Sequence, residues 1–267
     1  MRVEPSPLTP SPRERIWGAT ETSPWFPPSG RRIGEVWFLS EGEPLPILVK
    51  FIFTSEKLSV QVHPEDSGGR PGKTEMWHIV RAEPGAAVAV GLKREISREA
   101  LREAAVSGEI ESLLNWVPVQ TGDTIFVPAR TIHAIGAGLA LCEIQQQSDI
   151  TYRIYDYGRP RELHLEQGLE VASLGTHPGK SVPSPLAPGE WRLAACPYFV
   201  TDLIELDSPM RFSPAGHASQ ILVVLEGTGS LGSNPFKPGQ AWLVPTEADD
   251  FPIQPESHTR LLRTYVP

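Results

Sequence analysis

The chain has 267 residues, 40% of them hydrophobic and 21% charged, which suffices for one sizeable core or for two small β-domains packed together. Its formal net charge of −8 disfavours a nucleic-acid-binding protein, because neutralising phosphates needs a basic face. No stretch approaches about 18 consecutive apolar residues, so neither a membrane span nor a secretion signal is predicted.

The first part of the chain is predicted to be mainly β-strand. The 28 prolines and 23 glycines indicate many short elements joined by turns, which favours an all-β fold with few helices. No regular structure is predicted for residues 1–15, which are rich in Pro and Ser and belong to an N-terminal segment, 1–32. Apolar or alternating runs then predict strands at 34–39, 46–53, 58–64, 73–80 and 86–92.

The clearest helical pattern covers residues 97–114, with Ser97 as the predicted N-cap and Gly108 as a possible break. Strands resume at 124–129, 132–136 and 140–146, and a second, weaker helical pattern covers 163–174. This part of the chain, 33–174, is therefore predicted to form one β-barrel with a small helical insertion.

A Pro-, Gly- and Ser-rich stretch, 175–190, is the predicted linker between two domains. After it, residues 191–267 again consist of strand-like runs. The segment from Gly122 to Ala129 (GDTIFVPA) resembles the segment from Gly239 to Thr246 (GQAWLVPT). Two copies of one β-unit on either side of a linker predict two related barrels.

Four side chains form the chemical pattern that stands out. Gln61 and His63 are two residues apart on a predicted strand, so both point to the same face. Glu75 begins the next apolar run, and His133 follows the turn that ends in Val127-Pro128. If that face lines a barrel, three antiparallel strands can bring the four side chains together.

Two imidazoles, one carboxylate and one amide oxygen suit a borderline divalent ion such as zinc. Because no thiolate is among them, a closed structural zinc site is not expected. One coordination position should stay open for water or substrate, as a catalytic site requires. The second barrel has no such His/Glu cluster, so it is predicted to be metal-free.

Three segments of the sequence resemble those of a known protein family. LSVQVHPED (58–66), GKTEMWHIV (72–80) and the long stretch from Val127 to Arg159 strongly resemble the type I mannose-6-phosphate isomerase family in its short bacterial form. The resemblance runs from about Gly34 to about Leu174. It implies a cupin fold, with two jelly-roll barrels here, and a cytoplasmic zinc-dependent aldose–ketose isomerase holding one Zn²⁺ per chain, other divalent ions being possible.

The same resemblance implies roles for particular residues. Gln61, His63, Glu75 and His133 match the family's zinc ligands, and Arg153 matches its active-site arginine. Lys73, Glu143 and Arg159 fall where the family has further polar residues of the sugar-phosphate pocket. The expected substrate is therefore a small phosphosugar, mannose 6-phosphate or fructose 6-phosphate, and the expected assembly is a monomer or small homo-oligomer.

Chemistry narrows these roles without fixing all of them. Moving a carbonyl between C1 and C2 passes through an enediol or enediolate, whose developing charge a divalent ion or a cation can stabilise. Arg153 does not readily lose its proton, so it is expected to stabilise that charge or to bind phosphate, as Arg159 is expected to do. Lys73, Glu143 and a metal-bound water remain alternatives for the general base.

Two other functions are compatible with the pattern. A non-haem iron oxygenase could use His63, Glu75 and His133 as a facial triad, although Gln61 and the two arginines favour a phosphosugar. A non-catalytic cupin that binds a sugar phosphate is the other alternative. Cys142 and Cys196 are too far apart in the sequence for a metal knuckle and fit a reduced, cytoplasmic setting.

Overall fold

A computed structural model describes residues 3–42, 44–214 and 218–267 of the chain. Its N-terminal half contains twelve of the described strands. Their bounds are β1 Ser6–Pro7, β2 Thr9–Ala19, β3 Ile33–Leu39, β4 Ile47–Thr54, β5 Val60–Val62, β6 Glu75–Ala82, β7 Ala87–Leu92, β8 Leu114–Pro118, β9 Thr124–Val127, β10 His133–Ile135, β11 Leu139–Gln146 and β12 Tyr152–Tyr155.

The C-terminal half continues as antiparallel strands. Their bounds are β13 Ser184–Ala187, β14 Glu190–Ala195, β15 Val200–Leu206, β16 Met210–Phe212, β17 Gln220–Glu226, β18 Gly229–Leu231, β19 Asn234–Phe236, β20 Ala241–Val244, β21 Phe251–Pro255 and β22 Thr259–Tyr265. The mainly-β class predicted from the sequence is confirmed.

Four antiparallel sheets organise these strands into two pairs. The first pair is a six-stranded sheet, ordered β2-β3-β4-β11-β6-β9, and a five-stranded sheet, ordered β12-β5-β10-β7-β8. The second pair is a seven-stranded sheet, ordered β1-β20-β17-β22-β15-β14-β13, and a four-stranded sheet, ordered β16-β21-β18-β19. Each pair encloses its own apolar cluster, as two sheets packed face to face do.

The two pairs of sheets also pack against each other. The outer face of the six-stranded sheet contributes Phe51, Phe53 and Met76 to a third apolar cluster. The seven-stranded sheet contributes Leu203 and Val223 to the same cluster. The interior of the second sheet pair is filled by buried apolar side chains such as Leu222, Phe236 and Trp242. The shared third cluster buries apolar surface of both halves, so the two halves stabilise each other by packing.

The helices cover the outside of the five-stranded sheet. Helices α1, Arg98–Ser107, and α2, Ile110–Leu113, lie where one helical region was predicted. The Ser97 side chain caps α1 by accepting a hydrogen bond from the Ala100 amide at 3.1 Å. Gly108 ends α1 with a φ of 86°, which separates the two helices as the sequence suggested. Helix α3, Leu165–Val171, lies within the second predicted helical region.

No helix in the described ranges is long and apolar enough to cross a membrane.

The prediction for the start of the chain is wrong. Residues 1–15 were predicted to lack regular structure, but β2 occupies 9–19 and β1 pairs with β20 in the C-terminal seven-stranded sheet. Backbone pairing with β3 and burial of Trp17, which is 4% exposed, stabilise β2 despite its prolines. The predicted linker, 175–190, contains β13 and the first residue of β14. The division into domains at these boundaries stays a prediction.

A buried histidine on the outer face of β6 predicts a pH dependence of stability. His78 is fully buried, its Nδ1 lies 2.9 Å from the Thr124 hydroxyl, and burial, together with nearby Arg260, lowers its pKa to about 3. Below about pH 6.5 the unfolded chain therefore binds a proton at His78 that the folded chain does not bind. The free energy of unfolding consequently falls as the pH falls from about 6.5 towards 3.

We expect His78→Asn, which keeps a polar partner for Thr124, to flatten this dependence. Between pH 6 and 4 the free energy of unfolding should fall for the wild type by about 1.4 kcal/mol per pH unit more than it falls for the variant. Urea unfolding at several pH values measures both slopes. Parallel slopes would show that His78 does not carry this proton linkage.

Candidate metal centre and cleft

Gln61 and His63 are presented by β5 and the residue after it. The adjacent Val60 and Val62 face the opposite way, into the apolar cluster beneath the helices. In the five-stranded sheet Gln61 is paired with His133 of β10 on one side and with Arg153 of β12 on the other. The sheet register therefore sets these three side chains in one row across neighbouring strands.

Glu75 reaches the same place from the facing six-stranded sheet, where it begins β6. Its Oε2 lies 3.6 Å from His63 Nε2, and its Oε1 lies 3.5 Å from His133 Nε2. The ligand atoms of the three residues all lie within 4.8 Å of one another. The amide nitrogen of Gln61, Nε2, is 3.2 Å from His133 Nε2, and rotation of the amide by half a turn would place its oxygen there instead. The structure thus brings the four predicted side chains together between two sheets, while their role as metal ligands stays a prediction.

Backbone carbonyls orient both imidazoles. His63 Nδ1 is 2.9 Å from the Ile150 carbonyl, and His133 Nδ1 is 2.8 Å from the Thr131 carbonyl. A carbonyl only accepts hydrogen bonds, so each Nδ1 carries a proton and each Nε2 presents a lone pair to the cluster. Burial lowers the pKa of His63 well below its usual value and that of His133 to about 4, which keeps both rings neutral.

The Glu75 carboxylate is placed where it could bind a metal ion. It is fully buried, and neither of its oxygens accepts a hydrogen bond of good geometry from the described residues. Burial, with the charge of nearby Glu143, raises the pKa of Glu75 to about 7. A buried carboxylate is costly unless positive charge compensates it, and Lys73 Nζ, 3.2 Å from Oε2, supplies one such charge while Oε1 accepts no hydrogen bond from the described residues. Beside two imidazole lone pairs, the donor set matches what a borderline divalent ion binds.

Lys73 and Glu143 extend the site into a buried network of charges. Lys73 Nζ lies 3.1 Å from His63 Nε2, 3.2 Å from Glu75 Oε2 and 3.9 Å from Glu143 Oε1. Glu143 accepts a hydrogen bond from the Trp77 indole at 3.0 Å. The structure therefore brings both predicted polar residues to the candidate metal centre.

Lys50 is a member of this network that the sequence analysis missed. Its Nζ lies 2.7 Å from Glu143 Oε1 and 3.4 Å from Glu35 Oε1, and its side chain is 4% exposed. Burial opposes the charge of Lys50, but Glu143 and Glu35 outweigh it and raise its pKa. Burial likewise opposes the charge of Glu143, but Lys50 and Lys73 outweigh it and lower its pKa. The sequence did contain a signal for the burial of Lys50, because it is the single charged residue in the otherwise apolar run 46–53.

A cleft of about 430 Å³ adjoins this centre at Gln61. Gln61 and Trp17 lie in its wall, together with Asp149 and three arginines, Arg15, Arg153 and Arg161. Arg153 donates to the Glu162 carbonyl at 2.7 Å and has no ion pair within the described residues. Burial and the neighbouring Arg161 lower the pKa of Arg153.

Arg159, which was predicted to bind substrate, is not among the residues that line the cleft. Its guanidinium donates to Asp156 Oδ1 at 2.6 Å and to the Lys57 carbonyl at 2.9 Å. Arg161 takes the cleft position and donates to the other side of Asp156, at 2.6 Å from Oδ2. A turn precedes both arginines, because Tyr157 and Gly158 have φ values of 53° and 75° and reverse the chain.

Comparisons with known proteins agree with one another. No protein-family model matches the chain. Mannose-6-phosphate isomerase ManA of Bacillus subtilis is 30% identical, in an alignment covering 95% of this chain and 97% of that protein. The mannose-6-phosphate isomerase of Streptococcus mutans is 38% identical over 56% of this chain, and the aligned chain spans 50% of that relative.

Solved structures extend the likeness over the whole fold. A crystal structure of the mannose 6-phosphate isomerase from Bacillus subtilis has a TM-score of 0.86 and 26% identity, covering 99% of this chain and 100% of that one. A phosphomannose isomerase variant from Salmonella typhimurium has a TM-score of 0.77 and 16% identity over 99% and 100% of the two chains, which shows the shared fold.

Proposed function

Because this chain belongs to the mannose-6-phosphate isomerase family, we propose that it interconverts mannose 6-phosphate and fructose 6-phosphate with one bound divalent metal ion, zinc. The observation that carries the proposal is the buried cluster of His63, Glu75 and His133 beside half-buried Gln61, which lines a cleft. Zinc has no redox chemistry, which suits an isomerisation, and it accepts imidazole, carboxylate and amide ligands.

His63 and His133 would hold the ion through Nε2, Glu75 through its carboxylate and Gln61 through its amide oxygen. When bound, the ion would supply Lewis-acid stabilisation of the negative charge that develops on the sugar oxygen. The assigned tautomers support this arrangement, because both Nδ1 atoms are engaged by backbone carbonyls.

The proton that moves between C1 and C2 needs a group that can accept it and return it. Lys73 and Glu143 are the candidates, and Lys73 Nζ lies 3.9 Å from Glu143 Oε1. Both remain candidates for the base. Arg153 keeps its proton and contributes a fixed positive charge at the cleft wall.

The proposal extends to the wider setting of the enzyme. A cytoplasmic location fits a phosphorylated small-molecule substrate and the two free cysteines, Cys142 and Cys196. Two cupin-type barrels, with residues 33–174 catalytic and 191–267 metal-free, fit the two pairs of sheets. The assembly, monomer or small homo-oligomer, stays open.

A coupled assay for fructose 6-phosphate formed from mannose 6-phosphate tests the proposal. We expect turnover by the purified protein, loss of turnover after treatment with a chelator, and recovery when zinc is added back. Turnover that resists removal of all metal would contradict the proposed mechanism. Sugar-phosphate binding without turnover would instead indicate a non-catalytic cupin, and stoichiometric iron with oxygen uptake would indicate an oxygenase.

A further inference from the structure

The segment that carries Lys73 and Glu75 is held by a residue that the proposed mechanism does not use. Thr74 lies between them and is buried, and Gln146, the last residue of β11, engages both of its backbone groups. The Gln146 side-chain oxygen accepts from the Thr74 amide at 2.8 Å, and the Gln146 backbone amide donates to the Thr74 carbonyl at 3.1 Å. Because Gln146 is three residues from Glu143 on one strand, its side chain faces away from the metal centre.

Asp66 holds the other end of the Gln146 side chain. Its Oδ1 accepts from Gln146 Nε2 at 2.8 Å and from the Gly72 backbone amide at 2.5 Å. The two partners of Gln146 fix the orientation of its amide, because only the nitrogen can donate to a carboxylate and only the oxygen can accept from a backbone N–H. The Gly72 amide and the Gln146 side chain lower the pKa of Asp66, so the carboxylate stays charged and accepts both bonds.

The loop between His63 and Lys73 is closed tightly at its base. The Lys73 backbone amide donates to the Pro64 carbonyl at 3.1 Å. A Cβ at Gly72 would lie 2.7 Å from the same carbonyl oxygen, so the two arms of the loop are in direct contact. Since His63 precedes Pro64, a shift of the Lys73 backbone would also displace His63.

The C-terminal half contacts the same loop. A tight turn joins β14 to β15, where the Cys196 amide donates to the Phe199 carbonyl at 3.0 Å. Phe199 is buried, and its ring centroid lies 6.3 Å from that of Phe126 on β9. The neighbouring Tyr198 donates a hydrogen bond from its hydroxyl to the Asp66 carboxylate. Asp66 lies on an exposed loop, but it is thus bonded by residues of both halves of the protein.

We propose that Gln146, anchored by Asp66, is a positioning residue of the isomerase. It holds the Thr74 backbone, and thereby the two flanking side chains, in the geometry that metal binding and turnover need. Misplacing a reacting group by about 1 Å can cost about a hundredfold in rate. Hydrogen bonds that orient metal ligands typically contribute about 10- to 100-fold to metal affinity. This inference rests on the proposed isomerase function.

The test compares Gln146→Met, which removes the amide and keeps most of the volume, with the wild type. It should lower kcat for mannose 6-phosphate about 10- to 100-fold and change KM by less than about threefold. Zinc affinity, measured by competition with a chromogenic chelator, should fall about tenfold or more. Gln220→Met is the matched control, because Gln220 is also buried and donates to the Pro214 carbonyl at 3.0 Å in the C-terminal half. It should lower the Tm but leave kcat and zinc affinity unchanged.

Two variants of Asp66 test the anchor. Asp66→Ala should reproduce part of the loss in kcat and zinc affinity, because Gln146 loses its acceptor. Asp66→Asn keeps an oxygen that can accept from Gln146 and Gly72, so it should recover most of both quantities. Adding Asp66→Ala to Gln146→Met should cost little more than Gln146→Met alone, since the two residues act through one bond.

The outcomes separate this inference from the proposed function. Unchanged kcat and zinc affinity in a folded Gln146→Met protein, or equal losses in Gln220→Met, would overturn the positioning role. A wild type without isomerase activity, whose zinc affinity still depends on Gln146, would overturn the proposed function and keep the positioning role at the metal centre. If Gln146→Met does not fold, Asp66→Ala, in an exposed loop, decides by the same two measurements.

Discussion

His133→Ala is expected to lose both the bound metal ion and nearly all isomerase activity. The variant removes one of two neutral imidazoles whose Nε2 atoms face the Glu75 carboxylate. Lewis-acid stabilisation supplies several kcal/mol and about 1.4 kcal/mol corresponds to a factor of ten, so the rate should fall by at least about a thousandfold. Metal content by mass spectrometry and the coupled assay measure the two effects.

His258→Ala is the matched control for this prediction. His258 lies in the C-terminal half, is 46% exposed and pairs with Asp207, so its removal should change neither metal content nor rate. Circular dichroism should show that both variants fold. Stoichiometric metal and robust turnover in a folded His133→Ala protein would remove His133 from the metal centre.

Lys50→Met is expected to destabilise the protein by about 3–5 kcal/mol, because removing one partner of a buried ion pair leaves uncompensated charge. Lys50 is the cation between the buried carboxylates of Glu143, at 2.7 Å, and Glu35, at 3.4 Å. Methionine keeps most of the volume but none of the charge. Urea unfolding of the wild type and the variant measures the difference.

Two further variants make this prediction specific. Lys180→Met removes an ion pair with Asp123 at 2.7 Å whose lysine is 40% exposed, and it should cost at most about 1 kcal/mol. Adding Glu143→Gln to Lys50→Met should recover part of the loss, since it removes an unpaired charge and keeps an acceptor for Trp77. Equal losses in the free energy of unfolding for Lys50→Met and Lys180→Met would show that the buried ion pairs of Lys50 do not stabilise the protein more than an exposed ion pair does.

Many strands, and the shared face of Gln61 and His63, could be predicted because they depend on short-range periodicity. Gln61 and His63 share a face because they are two residues apart on a strand, and Val62 packs on the other side. Gly108 and Ser97 mark the helix ends through their own backbone and side-chain chemistry.

The features that the sequence analysis missed depend on long-range pairing. Strand β2 is held by β3 and by the burial of Trp17, which its proline-rich composition does not reveal. The burial of Lys50 becomes apparent only when β4 and β11 pair and set it beside Glu143. Nothing in the spacing of Arg159 and Arg161 tells which one lies in the cleft.

Anomalous X-ray scattering at the zinc edge, from crystals of the protein purified without chelator, tests the metal centre most directly. The account predicts one strong peak per chain, about 2.0–2.2 Å from the Nε2 atoms of His63 and His133 and from an oxygen of Glu75, with the Gln61 amide oxygen as the fourth ligand. A zinc-loaded protein with no peak among these four side chains, or with a peak elsewhere, would contradict it.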